Sequence, residues 1–271
     1  MIGIFYKDDN ANSVKAIRRF KRLLVEKKLD VIDLVETSLD AKTEKSLELI
    51  VVFGGDGTVL SAVKLALDKI PIVAINTGTV GFLTGFEQEE LEPLVKAIKN
   101  KTLQFSERRL LAVKVGQESF YALNDAVIVK DYVKDNHGGC VKLNVEIDGK
   151  KVDKYLADGL ILSTATGSTA YALSAGAPII TPDLEAICLA PICPHSLHSR
   201  PIVFNQKSIA IVTVDENSRD CALYVDGELE KTLEKGEQVK VLLAKKCIKI
   251  CDTCENFFER LSKKISSWSN N

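Results

Sequence analysis

Residues 49–63 of the chain, LIVVF-GGDGT-VLSAV, decide the fold because three patterns follow one another there. Five apolar residues predict a buried strand, a glycine-rich turn follows, and the next apolar residues have helical spacing. Glycines in such a turn let backbone N–H groups approach a phosphate, whose charge the helix N-terminus favours. The stretch therefore predicts a phosphate-binding loop inside an α/β fold, formed by Gly54, Gly55, Gly57 and Thr58.

Asp56 places a carboxylate in the middle of this turn, beside the charge of any bound phosphate. That arrangement costs energy unless the carboxylate accepts a proton from an attacking hydroxyl or holds Mg²⁺. A tight turn in which Asp56 only caps the following helix is the structural alternative. We expect Asp56 to be the catalytic residue, since the strand before the turn and the helix after it favour a working phosphate site.

The chain changes its pattern after about residue 103. Short strands alternate with helical segments before that point, which is typical of a parallel sheet covered by helices. Strand follows strand after it, and two Asp-Gly pairs, residues 148–149 and 226–227, predict hairpins. We expect an N-terminal α/β, Rossmann-like domain over residues 1–103, joined by a C-terminal helix in residues 255–271, and a β-rich, sandwich-like domain over residues 104–254.

The composition argues against several classes of partner. Lys and Arg total 36 against 37 Asp and Glu, so no net positive charge attracts nucleic acid or an anionic membrane. No apolar run is long enough to cross a bilayer, and the first residues predict a strand rather than a signal peptide. Seven cysteines, an odd number, do not suggest a disulfide framework. We expect a cytoplasmic protein with reduced thiols and without nucleic-acid or membrane partners.

Three segments together resemble the NAD kinase family. The Gly54–Thr58 turn is shared by NAD kinases, diacylglycerol and sphingosine kinases and, more loosely, phosphofructokinases. Residues 76–83, NTGTVGFL, are similar to the NTG-x-x-GF loop of NAD kinases, whose aromatic residue, here Phe82, helps to form the adenine pocket. Residues 158–171 resemble the long family signature D-G-x-x-x-S-T-P-T-G-S-T-A-Y, with Ala165 in place of the usual Pro.

The resemblance also implies how the dinucleotide binds. Asn124-Asp125 resembles the Asn-Glu pair with which the family holds ribose hydroxyls on the nicotinamide side, although the Asp125 side chain is one methylene shorter. The Asp226–Glu228 hairpin matches a family D-G-Q hairpin that approaches the site, in some members from a neighbouring subunit. The residues expected to bind NAD are Asp56, Gly57, Phe82, Asn124, Asp125, Asp158, Thr166, Thr169, Ala170, Tyr171 and Ser174, with Asp226 and Glu228 as weaker candidates.

As an NAD kinase, the chain would transfer a phosphoryl group from ATP or another donor to the 2′-hydroxyl of the adenosine ribose of NAD. Asp56 would accept the hydroxyl proton, and Mg²⁺ would accompany the phosphoryl donor. The resemblance favours homodimers or homotetramers built through the β-rich domain. Three alternatives stay open: a lipid or sphingoid kinase with the same glycine-rich loop, a sugar-phosphate kinase and a non-catalytic NAD(P)-binding sensor. The sequence does not decide the donor, the choice between NAD and NADH, or feedback by NADP(H).

Two cysteine-containing segments have the spacing of metal sites. Cys247, Cys251 and Cys254 are spaced C-x-x-x-C-x-x-C, which is typical of enzymes that hold an iron–sulfur cluster. The first of them lies in an alternating strand pattern, so thiols packed as small apolar groups are the better interpretation. Residues 193–198 offer one Cys and two His without a fourth ligand. We expect no metal bound by protein side chains in either segment.

Overall fold

The computed structural model describes residues 1–7, 11–36, 41–66, 70–78, 81–131, 133–134, 139–252 and 255–268. The chain divides into two compact units, one formed by residues 1–107 with 247–271 and the other by residues 108–246. Residues 247–250, whose alternating pattern predicts a strand, therefore belong to the first unit and not to the β-rich one. The reason is that Ile250 pairs in parallel with Ile72, in the sheet of the first unit.

The first unit contains the expected parallel sheet. Its elements, in chain order, are β1 (Ile2–Tyr6), α1 (Ala11–Glu26), β2 (Val31–Asp33), α2 (Ala41–Ser46), β3 (Leu49–Phe53), α3 (Asp56–Ala66), β4 (Ile72–Ile75) and α4 (Leu91–Asn100). The strands lie in the order β2-β1-β3-β4, and each neighbouring pair is parallel. Every residue of β3 and β4 is buried, as their unbroken apolar sequences require in a sheet covered on both faces.

The second unit is rich in antiparallel strands. They are β5 (Phe105–Val115), β6 (Glu118–Ala122), β7 (Asp125–Lys130), β8 (Val141–Ile147), β9 (Lys150–Ala157), β10 (Gly159–Thr164), β11 (Ala186–Ile192), β12 (Ile202–Asn205), β13 (Ala210–Val214), β14 (Cys221–Val225), β15 (Glu228–Leu233) and β16 (Gln238–Cys251). The first and last of these cross the boundary between the units. A short helix, α5 (Tyr171–Ser174), follows a 3₁₀ turn after β10, where the sequence predicts a longer helix over residues 170–176.

Two sheets enclose the core of the second unit. One has the order β12-β11-β10-β7-β14-β15, and in the other β9, β8, β13 and β16 are successive neighbours. Apolar side chains from both sheets form one buried cluster, which confirms the sandwich-like, β-rich fold. The two hairpins predicted at Asp-Gly pairs are also confirmed. Both residues of each pair have positive φ, as two-residue hairpin turns of type I′ require.

The chain ends in helix α6 (Phe257–Trp268), which belongs to the first unit and confirms the predicted C-terminal helix. Asn256 caps this helix, because its Oδ1 accepts the N–H groups of Phe258 and Glu259 at 2.9 and 3.0 Å. The Glu259 carboxylate in turn accepts the Asn256 N–H at 2.9 Å, which completes a capping box. None of the helices in the described ranges is long and apolar enough to span a bilayer.

Candidate active site

The glycine-rich loop leads from the end of β3 into α3, as the sequence predicts. The Gly54 N–H donates to the Ile75 carbonyl at 3.1 Å, which ties the loop to the neighbouring strand β4. Thr58 is buried, and a Cβ atom on Gly54 would overlap its Oγ1. Thr58 therefore supports the loop from inside.

The two remaining glycines of the loop are not required by packing. A Cβ atom added to Gly55 or Gly57 would meet nothing within 4 Å, and neither residue has positive φ. Glycine inside a helix lowers stability by up to about 1 kcal/mol relative to alanine, and Gly57 lies in the first turn of α3. Since the protein itself supplies no steric reason for these glycines, the open space before them fits the close approach of a ligand.

Asp56, the first residue of α3, holds a second loop by its carboxylate. Its Oδ2 accepts the Phe82 N–H and its Oδ1 accepts the Leu83 N–H, both at 2.9 Å. Gly81 makes this approach possible, because a Cβ atom there would overlap the Asp56 carboxylate. Among the described residues, the carboxylate thus binds a neighbouring loop and does not merely cap its own helix. Each oxygen keeps a further lone pair for a ligand hydroxyl.

The loop that Asp56 holds follows β4, at the carboxyl edge of the sheet. The Asn76 side-chain amide donates to the Glu87 carboxylate at 3.2 Å, and Asn76 Oδ1 accepts the Gly78 N–H at 3.1 Å. Thr77 is buried, with its Oγ1 2.9 Å from the Ser13 hydroxyl oxygen. The hydrogen bonds of these polar residues hold the loop in its conformation. Residues 79 and 80 of the same motif lie outside the described residues.

Helix α6 contacts Phe82, a partner that sequence reasoning missed. The Arg260 guanidinium donates to the Phe82 carbonyl at 2.7 Å. The rings of Phe82 and Phe257 lie 6.3 Å apart, and the Lys264 ammonium lies 5.9 Å from the centre of the Phe82 ring. Helical periodicity indicates α6 itself, but no sequence signal specifies which loop the helix covers.

In the second unit, Asp226 holds the backbone of the Asn124-Asp125 segment. One carboxylate oxygen accepts the Leu123 N–H at 2.7 Å, and the other accepts the N–H groups of Asn124 and Asp125 at 2.7 and 3.1 Å. The sequence suggests Asp226 as a weaker ligand contact, whereas its carboxylate organises a loop of its own chain. Glu228 is exposed at the start of β15.

Asp125 is a buried carboxyl group, with 5% of its surface exposed. Burial, followed by the nearby negative charge of Asp226, raises the pKa of Asp125 to about 7. Near neutral pH this carboxyl group is therefore divided between its protonated and ionised forms. The ionised form offers only acceptors to ligand hydroxyls, whereas the protonated form has one O–H donor and less acceptor capacity.

The signature after β10 packs directly against the same segment. The Thr164 hydroxyl donates to the Leu123 carbonyl at 2.6 Å, and a Cβ atom on Gly167 would overlap the Asn124 backbone. Asn124, Asp125 and the turn after β10 are thus brought together. Of the predicted ligands in that turn, Thr166 is buried, Thr169 and Ala170 are half-buried, and Tyr171 and Ser174 are exposed.

Asp158 lies at the other end of β10 from this group. Gly159, the next residue, pairs with Val129, whereas Ser163 pairs with Asp125 at the opposite end of the ladder. Six residues of strand separate the two ends by roughly 20 Å. Within one chain, the structure does not bring Asp158 next to the Thr166 turn, although the sequence predicts that both contact NAD.

No group of three or more His, Cys, Asp or Glu side chains suited to a metal ion occurs in the part of the chain that the structure describes. Cys254 is outside that part. Cys251 is buried, and burial raises the pKa of its thiol to about 12, which keeps the thiol protonated at neutral pH.

Comparisons with known proteins agree on one family. The ATP-NAD kinase N-terminal domain model matches residues 20–103, and the ATP-NAD kinase C-terminal domain model matches residues 123–253. The chain is 33% identical over 272 residues to an NAD kinase of Fusobacterium nucleatum, covering 100% of this chain and 98% of that protein. It is 34% identical over 275 residues to an NAD kinase of Heliobacterium modesticaldum, covering 96% of each.

Two solved structures share the fold over nearly the whole chain. Yeast NADH kinase complexed with NADH has a TM-score of 0.87 and 25% identity, covering 100% of this chain and 88% of that chain. An NAD kinase from Archaeoglobus fulgidus in complex with ATP has a TM-score of 0.82 and 25% identity, covering 98% of both chains.

Proposed function

Since the chain belongs to the NAD kinase family, we propose that it transfers the γ-phosphoryl group of ATP to NAD. The acceptor is the 2′-hydroxyl of the adenosine ribose, and the product is NADP. The observation that carries this proposal is the Asp56 carboxylate, which is held by two backbone N–H groups beside the open Gly55 and Gly57. That arrangement joins a proton acceptor to a phosphate-binding backbone.

Asp56 is the residue that we assign to proton transfer. The ribose hydroxyl is a weak nucleophile, and Asp56 accepts its proton as the new oxygen–phosphorus bond forms and the bond to the leaving ADP oxygen breaks. General-base assistance of this kind contributes about 10²–10⁴ in rate. The Phe82 and Leu83 N–H groups fix the position of the carboxylate beside the glycine-rich loop.

The phosphates of the donor are assigned to the backbone of Gly54–Gly57. Open glycines let phosphate oxygens reach N–H groups at the N-terminus of α3, where the helix dipole favours negative charge. Fixed donors of this kind also stabilise the charge that develops during phosphoryl transfer.

Mg²⁺ enters the proposal as a companion of the triphosphate. The loop offers one carboxylate, Asp56, and the described residues contain no cluster of metal-binding side chains. Such a donor set fits an ion carried mainly by phosphate oxygens and water, which is how proteins commonly bind Mg²⁺. When bound, the ion neutralises charge on the transferring phosphoryl group.

The residues assigned to the dinucleotide are those that the family resemblance indicates. Phe82 offers an aromatic face to the adenine, and Asn124 with Asp125 accepts hydroxyls of the ribose on the nicotinamide side. The turn that contains Thr166, Thr169, Ala170, Tyr171 and Ser174 supplies further contacts. Support comes from the packing of this turn on Asn124.

Assembly into homodimers or homotetramers is part of the proposal, together with a cytoplasmic location. The position of Asp158, at the far end of β10 from Asp125, supports assembly because Asp158 of one copy can then serve the dinucleotide bound to another. Mixing inactive Asp158→Ala and Asp56→Asn proteins tests this: activity recovered after subunit exchange is expected. Two active-site variants that stay inactive together contradict shared sites.

The activity itself is tested by incubating the protein with NAD, Mg²⁺ and ATP and measuring NADP with an NADP-specific dehydrogenase. NADP formation is expected, and NAD binding without NADP formation contradicts the proposal. Parallel reactions with other nucleoside triphosphates, polyphosphate and NADH determine the donor and acceptor. Diacylglycerol and sphingosine serve as negative controls, because their phosphorylation is expected of a lipid kinase alone.

A further inference from the structure

We propose that Arg260 of helix α6 is a positioning residue for Asp56, acting through the peptide group that joins Phe82 to Leu83. This inference rests on the proposed function, because the position of Asp56 matters if its carboxylate takes the proton of the acceptor hydroxyl. It adds to that function a residue from the end of the chain, far in sequence from the glycine-rich loop.

Two hydrogen bonds link Arg260, the Phe82–Leu83 peptide group and Asp56 in series, and we call this arrangement the relay. The Arg260 guanidinium donates to the Phe82 carbonyl at 2.7 Å, and the N–H of the same peptide group, which belongs to Leu83, donates to Asp56 Oδ1 at 2.9 Å. A peptide group is planar, so its carbonyl and N–H point in opposite directions along a fixed line. By fixing the carbonyl, Arg260 fixes the direction from which the N–H meets the carboxylate.

The charge of Arg260 acts along the same relay. A cation bonded to the carbonyl polarises the peptide group, which makes its N–H a stronger donor to Asp56. Arg260 is half-buried, and burial lowers the pKa of its guanidinium, while the negative charges of Glu255 and Asp56 oppose that change.

Helix α6 is built to keep Arg260 in place. Its first turn is fixed by the Asn256 cap and by the ion pair between Glu255 and Lys263. Phe257 then packs its ring near Phe82, so the helix meets the loop through both a ring and a hydrogen bond. A side chain held at its base in this way loses little entropy when it binds the carbonyl.

The main test compares Arg260→Met, which removes the donor and the charge, with Arg260→Lys, which keeps the charge. Arg22→Met is the matched control, because Arg22 is exposed and its ion pair within the described residues is an i,i+4 pair with Glu26 at 3.8 Å. We expect Arg260→Met to lower kcat by about 10- to 100-fold while the KM for ATP changes little, because misplacement of a catalytic group by an ångström has effects of this size. Arg22→Met should keep the wild-type kcat.

The conservative variant separates this role from simple support of the fold. In Arg260→Lys kcat should fall by a smaller factor than in Arg260→Met, because the lysine ammonium keeps a positive charge that can reach the Phe82 carbonyl, although without the planar geometry of the guanidinium. An Arg260→Met protein whose kcat matches the wild type overturns the inference.

Amide NMR tests the relay without any turnover. The Leu83 amide proton should move upfield in Arg260→Met, whose peptide group loses the guanidinium bond, by a smaller amount in Arg260→Lys, and not at all in Arg22→Met. If Arg260→Met fails to fold, the Arg260→Lys spectrum decides, and an unmoved Leu83 amide overturns the inference. A wild-type protein that makes no NADP refutes the proposed function, whereas the amide shifts still decide the relay.

Discussion

Asp56 in the first unit and Asp226 in the second both bind the backbone of another loop, but the two carboxylates serve different purposes. Each carboxylate accepts N–H groups from consecutive residues of another loop: Phe82 and Leu83 for Asp56, and residues 123–125 for Asp226. Asp56 binds one donor per oxygen and lies beside glycines with open space before them. Asp226 binds three donors. The first carboxylate keeps acceptor capacity for chemistry, whereas the second serves as scaffold for Asp125, the carboxyl group that we assign to the substrate.

The largest expected effect is that of Asp56→Asn. An Asn side chain cannot accept the hydroxyl proton, so kcat should fall by about 10²–10⁴. The affinity for NAD, measured by calorimetry, should change much less than kcat, although the Asn amide nitrogen replaces one of the two acceptors of the loop N–H groups. In parallel, the NMR signals of the Phe82 and Leu83 amides show whether the loop keeps its position. Turnover near the wild-type rate would remove Asp56 from the role of base.

The Asp125→Asn variant tests the carboxyl group of the second unit through its effect on the free energy of unfolding. Burial and then Asp226 raise the pKa of Asp125 from 3.8 to about 7 in the folded protein. A carboxyl group whose pKa is raised by folding destabilises the protein progressively as pH rises from about 4 to 7. The asparagine variant should therefore be more stable than the wild type by about 4 kcal/mol above pH 7, and the difference should vanish below pH 4.

Urea unfolding at pH 4 to 8 measures this difference. Asp226→Asn is the control, and it should lose stability over the whole range, because an amide nitrogen would replace one acceptor of the loop N–H groups. If Asp125→Asn gains the same stability at every pH, the gain does not come from removing a buried ionisable carboxyl group.

The affinity for NAD should depend on the same titration, with a smaller effect. In the proposed site the ribose hydroxyls donate to Asp125, and the ionised carboxylate, which prevails above pH 7, is the stronger acceptor. The dissociation constant of NAD should fall about tenfold between pH 6 and pH 8. In Asp125→Asn it should be flat over that range. A wild-type constant that does not change with pH would exclude Asp125 from the ribose contact.

Local features of this fold could be predicted from the sequence, whereas contacts between distant residues could not. The strand, glycine-rich turn and helix of residues 49–66 follow from apolar spacing and turn chemistry. Strand β2 ends at Asp33, earlier than the predicted Val35, because the Asp33 carboxylate accepts the N–H groups of Val35 and Glu36 and turns the chain. Apolar spacing carries no information about that side-chain bond.

The same distinction applies to the candidate site. Its glycine, Asn-Asp and Thr-rich segments are recognisable because each is continuous in sequence. The Arg260 bond to Phe82 spans 178 residues, and the Asp226 bond to Leu123 spans 103. Such pairs form when separate elements pack together, and neither residue type nor spacing specifies them in advance.

The smallest expected effect, that of Gly57→Ala, tests whether open glycines mark the phosphate side. Its Cβ atom meets no protein atom, so the free protein should gain up to about 1 kcal/mol of stability from the better helix former. The KM for ATP should nevertheless rise severalfold, because the methyl group occupies the space before the loop. Gly81→Ala is the contrasting variant: its Cβ atom would overlap the Asp56 carboxylate, so stability and kcat should fall together. A Gly57→Ala protein with an unchanged KM for ATP would mean that the phosphates do not approach this face of the loop.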